Sequence, residues 1–236
     1  MVLVIGHRGA AAHAPENTLP SFRRAMELGA DMVELDVHLS SDGELVVIHD
    51  DTLDRTTNGN GLVSSKTLKE LRDLDAGGGE RIPTLGEVVS LVGGRCGLDI
   101  ELKGASTAGP VASLLMEVIG EGAFREQGLL ITSFNPLELL DLGPLLPDVR
   151  RGILVEGVPD GVVEVAGMLS VNTIGPDHRF MTEGLVRECL RSGFEVHAWT
   201  VNDIERARAL AAWGVGAIIT DRPELRDGLS GRTREG

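Results

Sequence analysis

The stretch VELDVHLSSDGELVVIHD (residues 33–50) has the alternating pattern of a β-hairpin, and its polar face is rich in acids and histidine. The apolar side chains of its first half fall on one face, and the opposite face carries Glu34, Asp36, His38 and Ser40. A solvated hairpin with scattered charges would show this pattern. A strand that buries these groups in a functional site would show it as well.

The dipeptide Asp42-Gly43 predicts a tight turn after this strand. If these two residues form the whole loop, Asp36 lies opposite His49, with Cβ atoms roughly 5 Å apart, and the histidine joins the acidic face. A three-residue loop with a bulge at Gly43 is the alternative. A shift of one residue in the pairing would place His49 on the opposite face.

The rest of the chain repeats a strand-and-helix pattern. Short apolar runs rich in β-branched residues alternate, in most cases, with segments of helical period such as 18–29 and 203–214. This spacing predicts parallel strand pairing, and eight units in 236 residues predict an α/β fold of the closed TIM (β/α)8 barrel type. The eight apolar runs are 2–6, 31–37, 97–102, 129–134, 152–156, 171–175, 195–201 and 215–220.

A doubly wound α/β sheet is the main alternative, and it requires a glycine-rich fingerprint after the first strand. Here the first strand is followed by His7-Arg8-Gly9, which does not match. A small insertion at about residues 38–83 follows the second strand, and residues 51–82 contain too little apolar material to predict a separate core. We therefore expect one domain over residues 1–236, with a frayed tail from residue 226.

Composition restricts the possible partners. The chain is 42% hydrophobic and has a net charge of -14, which disfavours nucleic acid and stable association with anionic membranes. We expect a small-molecule substrate, and an anionic one requires local cations. Cys96 and Cys189 lack the spacing of a metal site or a disulfide framework, and no signal or transmembrane segment is evident. These features predict a soluble cytoplasmic protein, and they leave its oligomeric state open.

Three acids gather at predicted C-terminal strand ends, where TIM barrels place their chemistry. Glu34, Asp36 and Glu101 would face one another across a narrow space, and three carboxylates there cannot all stay ionised without a cation. Ligation by oxygen alone favours Mg²⁺ or Ca²⁺. The alternative is ordinary ion pairing, of Glu101 with Lys103 and of Glu34 with Arg8.

Two histidines and two cations complete the predicted cluster. His7 and His49 fall at strand ends, and imidazole titrates near neutral pH without a large perturbation, so we expect them to carry protons. Arg8 and Lys103 offer positive charge for a phosphate or a phosphodiester. The alternative for Arg8 is an ion pair with Glu16.

Other positions carry weaker signals. In the segment PENT (15–18), Asn17 or Thr18 is placed to cap the following helix, and Asn17 is also a candidate for substrate contact. Trp199 at a strand end is a candidate wall of the substrate pocket. The remaining histidines receive no predicted role: His13, His38, His178 and His197.

Seven motifs run in order through nearly the whole chain: HRGA (7–10), PENT (15–18), ELDVHLSSDGELVVIHD (34–50), LDIELK (98–103), ITSFN (131–135), HAWTVN (197–202) and IITDRP (218–223). Together these motifs resemble the glycerophosphodiester phosphodiesterase family. The resemblance implies a TIM barrel with a small insertion after the second strand. It also implies hydrolysis of glycerophosphodiesters to sn-glycerol 3-phosphate and an alcohol, with a divalent cation as cofactor.

The same resemblance assigns roles to individual positions. It implies that His7 and His49 are the catalytic acid and base, with Phe134 and Trp199 along the glycerol or alcohol side. The implied metal ligands are Glu34, Asp36 and Glu101, and the implied phosphate contacts are Arg8 and Lys103. We predict His7 as the base and His49 as the acid, because His7 ends a core strand whereas His49 lies on the hairpin arm. Water and the glycerol 2-hydroxyl both stay open as nucleophile.

Three other functions are consistent with parts of this pattern. A lysophospholipase D-like or sphingomyelinase D-like enzyme would share the histidines and acids, but it needs room for an acyl chain, and no long apolar insertion is evident. A barrel aldolase that uses Lys103 as a Schiff base would not need a metal. A non-catalytic phosphodiester-binding protein would bind without turnover.

Overall fold

The computed structural model describes residues 2–157 and 161–230. Within this part, eight parallel strands follow one another around a closed barrel, in which β1 pairs with both β2 and β9. The short strand β3 pairs antiparallel with the C-terminal half of β2. The predicted TIM barrel is therefore confirmed. The strands are β1 (Leu3–Gly6), β2 (Met32–Leu39), β3 (Leu45–Val47), β4 (Gly97–Leu102), β5 (Leu129–Ser133), β6 (Arg150–Val155), β7 (Thr173–Pro176), β8 (Glu195–Ala198) and β9 (Ala217–Thr220).

Amphipathic helices connect most of the strands and cover the outside of the barrel. Helix α3 shows how the sequence sets their ends: Thr84 and Glu87 form a capping box at its start, and Gly93 ends it with a left-handed φ of 51°. The helices of the described residues are α1 (Leu19–Glu27), α2 (Leu68–Arg72), α3 (Leu85–Val92), α4 (Ala108–Gly120), α5 (Pro136–Leu142), α6 (Val162–Met168), α7 (Glu183–Arg191), α8 (Ile204–Trp213) and α9 (Leu225–Ser230).

The two faces of β2 serve different purposes. Val33, Leu35 and Val37 are fully buried in the apolar layer between the sheet and its helices. The alternate residues point into the barrel, where Met32 joins an apolar floor that also contains Ile5, Leu130, Ala217 and Ile219. The polar residues that follow Met32 on this face therefore lie above a closed apolar floor.

The hairpin adopts a different register from the two-residue loop considered above. Val37 pairs with Val47 and Leu39 with Leu45, so Asp36 lies opposite Ile48 and not opposite His49. The loop has three residues and ends at Gly43, whose φ of 86° favours glycine. The expected Asp36–His49 pairing is wrong. His49 still reaches the functional cavity because β3 ends at Val47 and the chain then leaves the sheet.

The insertion contains more apolar packing than its sequence indicated. Buried side chains such as Leu53, Leu71 and Ile82 form a small cluster that rests on Val46 and Ile48 of the hairpin arm. This cluster agrees with the expectation that residues 51–82 hold too little apolar material for a core of their own, because the hairpin arm supplies part of it. The predicted frayed tail is partly wrong, since residues 225–230 form α9, and residues 231–236 lie outside the described part.

Candidate active site

A cavity of about 440 Å³ opens at the C-terminal ends of the barrel strands. Most of the positions predicted from the sequence line it. Asp36 and Asn17 are almost fully buried behind its wall, with exposed fractions of 1% and 3%. The predicted residues that line the cavity are His7, Arg8, Glu34, His49, Glu101, Lys103, Phe134 and Trp199.

The three predicted metal ligands lie together. Glu34 and Asp36 are alternate residues of β2, and the pairing of β2 with β4 puts Asp36 beside Glu101. Each offers a carboxylate oxygen, and these three atoms lie within 4.8 Å of one another. Burial and the neighbouring carboxylates raise the pKa of Glu34 well above its usual value and that of Glu101 to about 8.

The cluster has the properties of a site for a hard cation. All its donors are carboxylate oxygens, the ligands that Mg²⁺ and Ca²⁺ prefer. Asp36 Oδ1 is buried and accepts no hydrogen bond from the described residues, although a buried polar atom normally has a partner. A divalent cation would satisfy this oxygen and relieve the repulsion among the three carboxylates.

The loop after β1 places Arg8 beside this cluster in a strained conformation. Arg8 has a left-handed φ of 49°, and its backbone N–H donates to Glu34 Oε2 at 2.7 Å. The turn is so tight that a Cβ on Gly6 would lie 2.3 Å from Gly9 O. A Cβ on Gly9 would lie 2.5 Å from Ser21 Oγ. The glycines on either side of His7-Arg8 are therefore required by the close approach of the chain.

The ion pairs considered as alternatives are partly present. Arg8 Nη1 donates to Glu16 Oε1 at 2.6 Å, and Lys103 Nζ lies 3.1 Å from Glu101 Oε1. Glu34 instead uses the backbone of Arg8. These pairs hold both cations at the edge of the cavity, so they are compatible with a role at a phosphate.

Asn17 supports the cluster from behind. Its Nδ2 donates to Asp36 Oδ2 at 2.8 Å, and its backbone has a left-handed φ of 57°. Thr18 occupies the N-cap position of α1, but its hydroxyl donates to Pro15 O at 2.6 Å, and neither predicted residue makes a capping hydrogen bond. The expected side-chain cap is therefore absent. Substrate contact by Asn17 stays a prediction.

His7 is oriented by a residue from the far end of the chain. Its Nδ1 lies 2.7 Å from Asp221 Oδ1, at the end of β9. Burial alone would raise the pKa of Asp221, but the hydrogen bond from His7 lowers it below its usual value, so the carboxylate accepts and Nδ1 donates. Asn202 Nδ2 donates to Asp221 Oδ2 at 2.5 Å. This arrangement leaves His7 Nε2 available for other contacts.

His49 has a corresponding partner of its own. Its Nδ1 lies 2.6 Å from Asp50 Oδ1, and Arg55 Nε donates to Asp50 Oδ2 at 2.7 Å. The hydrogen bonds from Arg55 hold the pKa of Asp50 below its usual range. Burial lowers the pKa of His49. Both histidines therefore carry a carboxylate on Nδ1 and keep Nε2 available.

An aromatic wall closes one side of the cavity. The rings of Phe134 and Trp199 meet edge to face, with centroids 5.5 Å apart, and Lys103 Nζ lies 5.4 Å from the Phe134 centroid. Trp199 Nε1 donates to Gly175 O at 2.7 Å, so its ring is fixed in place. This wall suits the apolar parts of a small substrate.

Sequence reasoning gave no role to several residues that the site uses. Asp221 received no predicted role, although closure of a barrel places the last strand beside the first. Asp50 follows His49 directly, and that adjacency was an available signal. Asp99 lines the cavity floor and hydrogen-bonds Thr132 at 3.0 Å, and burial raises its pKa to about 7.

The four histidines without a predicted role lie in different surroundings. His13 lies 2.9 Å from Glu224, and His38 is buried with Nε2 lying 3.1 Å from His49 O. His178 is close to Arg206, and His197 to Glu195. His38 therefore contacts the backbone of a predicted catalytic residue.

The described residues include no helix with the length and apolar character needed to cross a membrane.

The family model for the glycerophosphoryl diester phosphodiesterase family matches residues 7–225. A glycerophosphodiester phosphodiesterase of Caldanaerobacter subterraneus is 42% identical over 234 residues, which cover 94% of this chain and 95% of the relative.

Solved structures give the same result. An Oleispira antarctica phosphodiesterase, solved in complex with the product sn-glycerol-3-phosphate, superposes with a TM-score of 0.87 at 34% identity, over 98% of this chain and 96% of its own. A glycerophosphodiester phosphodiesterase from Thermotoga maritima superposes with a TM-score of 0.80 at 30% identity, over 97% and 98% of the two chains.

Proposed function

The chain belongs to the glycerophosphoryl diester phosphodiesterase family, and from that premise we propose how this enzyme works. It hydrolyses glycerophosphodiesters to sn-glycerol 3-phosphate and an alcohol in the cavity at the top of the barrel. The observation that supports this proposal most directly is that His7 and His49 line the same cavity as Glu34 and Glu101. Asp36 lies directly behind these two glutamates. The product held by the Oleispira enzyme supports this choice of substrate.

Glu34, Asp36 and Glu101 would hold the divalent cation, Mg²⁺ or Ca²⁺. When bound, such an ion supplies positive charge that stabilises the negative oxygens of a phosphodiester as the reaction proceeds. The unpartnered Asp36 Oδ1 and the raised pKa values of Glu34 and Glu101 support this assignment. Asn17 then acts on the cluster through its hydrogen bond to Asp36.

Arg8 and Lys103 bind the phosphate group from the edge of the cavity. The planar guanidinium of Arg8 matches two phosphate oxygens, whereas Lys103 supplies a point charge. Phe134 and Trp199 pack along the glycerol or alcohol part of the substrate, since they form the apolar wall beside Lys103. Together these residues orient the ester between the two histidines.

The two histidines move the protons. His7 Nε2 accepts a proton from the nucleophile, and Asp221 behind it stabilises the imidazolium that forms. His49 Nε2 donates a proton to the departing alcohol oxygen as its bond to phosphorus breaks. An ordinary alkoxide is a poor leaving group without that proton, so each of these steps contributes about 10²- to 10⁴-fold.

The main test is turnover of glycerophosphocholine, glycerophosphoethanolamine and glycerophosphoglycerol with Mg²⁺ or Ca²⁺, followed by measurement of sn-glycerol 3-phosphate. We expect release of this product, and we expect chelation to abolish it. Lysophosphatidylcholine serves as a comparison substrate, since preference for it would favour the lysophospholipase D-like alternative. The cytoplasmic location, the single domain and the absence of nucleic-acid or membrane partners stay predictions from composition and length.

Replacement of single ligands tests the metal assignment. Glu34→Ala, Asp36→Ala and Glu101→Ala should each raise the cation concentration needed for half-maximal activity by roughly tenfold or more, because each removes one oxygen donor. Glu44→Ala removes an exposed carboxylate of the same hairpin and should leave this concentration unchanged. Full activity of the chelated enzyme would refute the metal assignment.

A further inference from the structure

Arg55 belongs to the insertion, and it binds two carboxylates at the mouth of the active site. Its Nε donates to Asp50 Oδ2 at 2.7 Å and its Nη2 to Asp50 Oδ1 at 2.9 Å. On the other side, Nη1 donates to Glu16 Oε2 and Nη2 to Glu16 Oε1, both at 2.8 Å. Each carboxylate therefore receives a two-point contact, the geometry in which arginine pairs are strongest and most directional.

Each of these carboxylates holds a second residue. Asp50 also accepts the Nδ1–H of His49 at 2.6 Å, and Glu16 also accepts from Arg8 Nη1 at 2.6 Å. A single carboxylate thus links Arg55 to the proposed acid, His49, and another links Arg55 to the proposed phosphate-binding residue, Arg8. Burial alone would raise the pKa of Glu16, but Arg55 and Arg8 lower it to about 2, so the Glu16 carboxylate stays charged at neutral pH.

We propose that Arg55 is a positioning residue that fixes His49 relative to Arg8, so that the proton donor and the phosphate-binding group act on one ester together. This inference rests on the function proposed above. Arg55 acts through Asp50 and Glu16, because all three of its nitrogens already donate to these carboxylates. The insertion thereby becomes part of the catalytic apparatus.

The turn that carries Arg55 is fixed in place. Leu53 is fully buried, and its backbone N–H donates to Gly61 O at 3.0 Å. Thr57 N donates to Leu53 O at 3.1 Å and closes the turn around Arg55. An exposed single ion pair contributes little to stability, but a rigid arginine in a network of four charge-assisted bonds can hold geometry. Lysine lacks the planar fork and cannot replace it.

A purely structural pair offers a matched comparison. Arg72 of α2 lies in the same insertion, and two of its nitrogens donate to the carboxylate of Glu87 in α3. Its side chain is 31% exposed and that of Arg55 is 47% exposed, and mutation removes one two-point contact at Arg72 and two at Arg55. Arg72→Ala therefore controls for loss of an insertion ion pair that does not touch the proposed site residues.

The kinetic test compares Arg55→Ala, Arg55→Lys and Arg72→Ala on glycerophosphocholine and on p-nitrophenyl glycerophosphate. We expect both Arg55 variants to lose about 10- to 100-fold in kcat on the choline ester, and clearly less on the activated ester, which hardly needs a proton. Arg72→Ala should keep activity within about twofold on both esters. In an Asp50→Asn background, Arg55→Ala should add no further preference for the activated ester, because the route to His49 is already broken.

A second measurement does not depend on turnover. This measurement follows the NMR signal of the His49 Nδ1–H proton, which is assigned by its loss in His49→Gln. Its exchange rate with solvent should rise in Arg55→Ala and stay unchanged in Arg72→Ala. An unchanged His49 signal in Arg55→Ala overturns the inference, as does wild-type-like activity of that variant. An inactive wild type with a His49 signal that responds to Arg55→Ala would instead refute the proposed function and leave the positioning role supported.

Discussion

At the scale of single residues, the two histidines proposed as catalytic differ in the charge that lies behind them. Asp221 behind His7 is supported by the neutral amide of Asn202, so its negative charge is available to stabilise an imidazolium. Asp50 behind His49 is paired with the Arg55 guanidinium, which offsets its negative charge. This asymmetry supports the proposed roles, with His7 as the proton acceptor and His49 as the donor, and the assignment stays a prediction.

This assignment predicts different responses to the leaving group. His49→Ala should lose at least about 10²-fold in kcat/KM on glycerophosphocholine but keep most activity on p-nitrophenyl glycerophosphate, whose phenolate leaves without a proton. His7→Ala should lose activity on both esters, because both need an activated nucleophile. The assay requires saturating cation and circular dichroism to verify folding. The opposite pattern would reverse the roles, and equal losses on both esters would contradict this use of the histidines.

At the scale of elements, the pairing of β2 with β4 brings acids together on the inner face of the barrel. Asp36 lies beside Glu101, and Glu34 lies beside Asp99, so two cross-strand pairs carry like charges. Such pairs destabilise a sheet unless a proton or a cation intervenes. Burial raises the pKa values of Glu34, Asp99 and Glu101, and the neighbouring carboxylates raise them further.

These like-charge pairs predict that the folded protein loses stability as pH rises, and that a bound cation reduces this loss. A carboxyl group whose pKa rises on folding keeps its proton in the folded state after the unfolded chain has released it, so stability falls as pH rises. For Glu101 this window runs from its unfolded value of about 4.5 to about 8. With chelator, Tm should fall by roughly 5 °C or more between pH 5 and pH 8, and saturating Mg²⁺ or Ca²⁺ should reduce that fall. Glu101→Gln should flatten the chelated profile, and a Tm that rises over this range would contradict the prediction.

The elements also show where sequence reasoning succeeds. Alternation along β2 correctly placed Glu34 and Asp36 on one face, because the side-chain period of a strand is local information. The hairpin register depended on whether Gly43 formed the end of a two- or three-residue loop, and both loops accept Asp-Gly. Packing of the insertion cluster against Val46 and Ile48 is a tertiary effect that the turn residues do not encode.

At the scale of the whole molecule, closure of the barrel creates contacts that the sequence motifs do not contain. His7 and Asp221 are separated by 214 positions, and they meet because β9 pairs with β1. The family motifs identified both segments, but the distance between their side chains follows only from the closed sheet. The bridge from Arg55 to Glu16 likewise joins the insertion to the loop after β1 and had no sequence signal.

The net charge of the molecule predicts how ionic strength affects substrate encounter. The enzyme carries a formal charge of -14, so at low salt its long-range field repels an anionic substrate before the proposed phosphate-binding residues, Arg8 and Lys103, and a bound cation would attract it. The screening length falls from about 30 Å at 0.01 M salt to about 8 Å at 0.15 M, which removes the distant repulsion more than the contacts within the cavity. kcat/KM for anionic glycerophosphoglycerol should therefore rise roughly twofold over this range, whereas that of zwitterionic glycerophosphocholine should change little. Both substrates are measured with saturating cation at constant pH, so that the difference between them isolates substrate charge. A fall in kcat/KM for glycerophosphoglycerol with salt would mean that the local cations, and not the net charge, control the approach of the substrate.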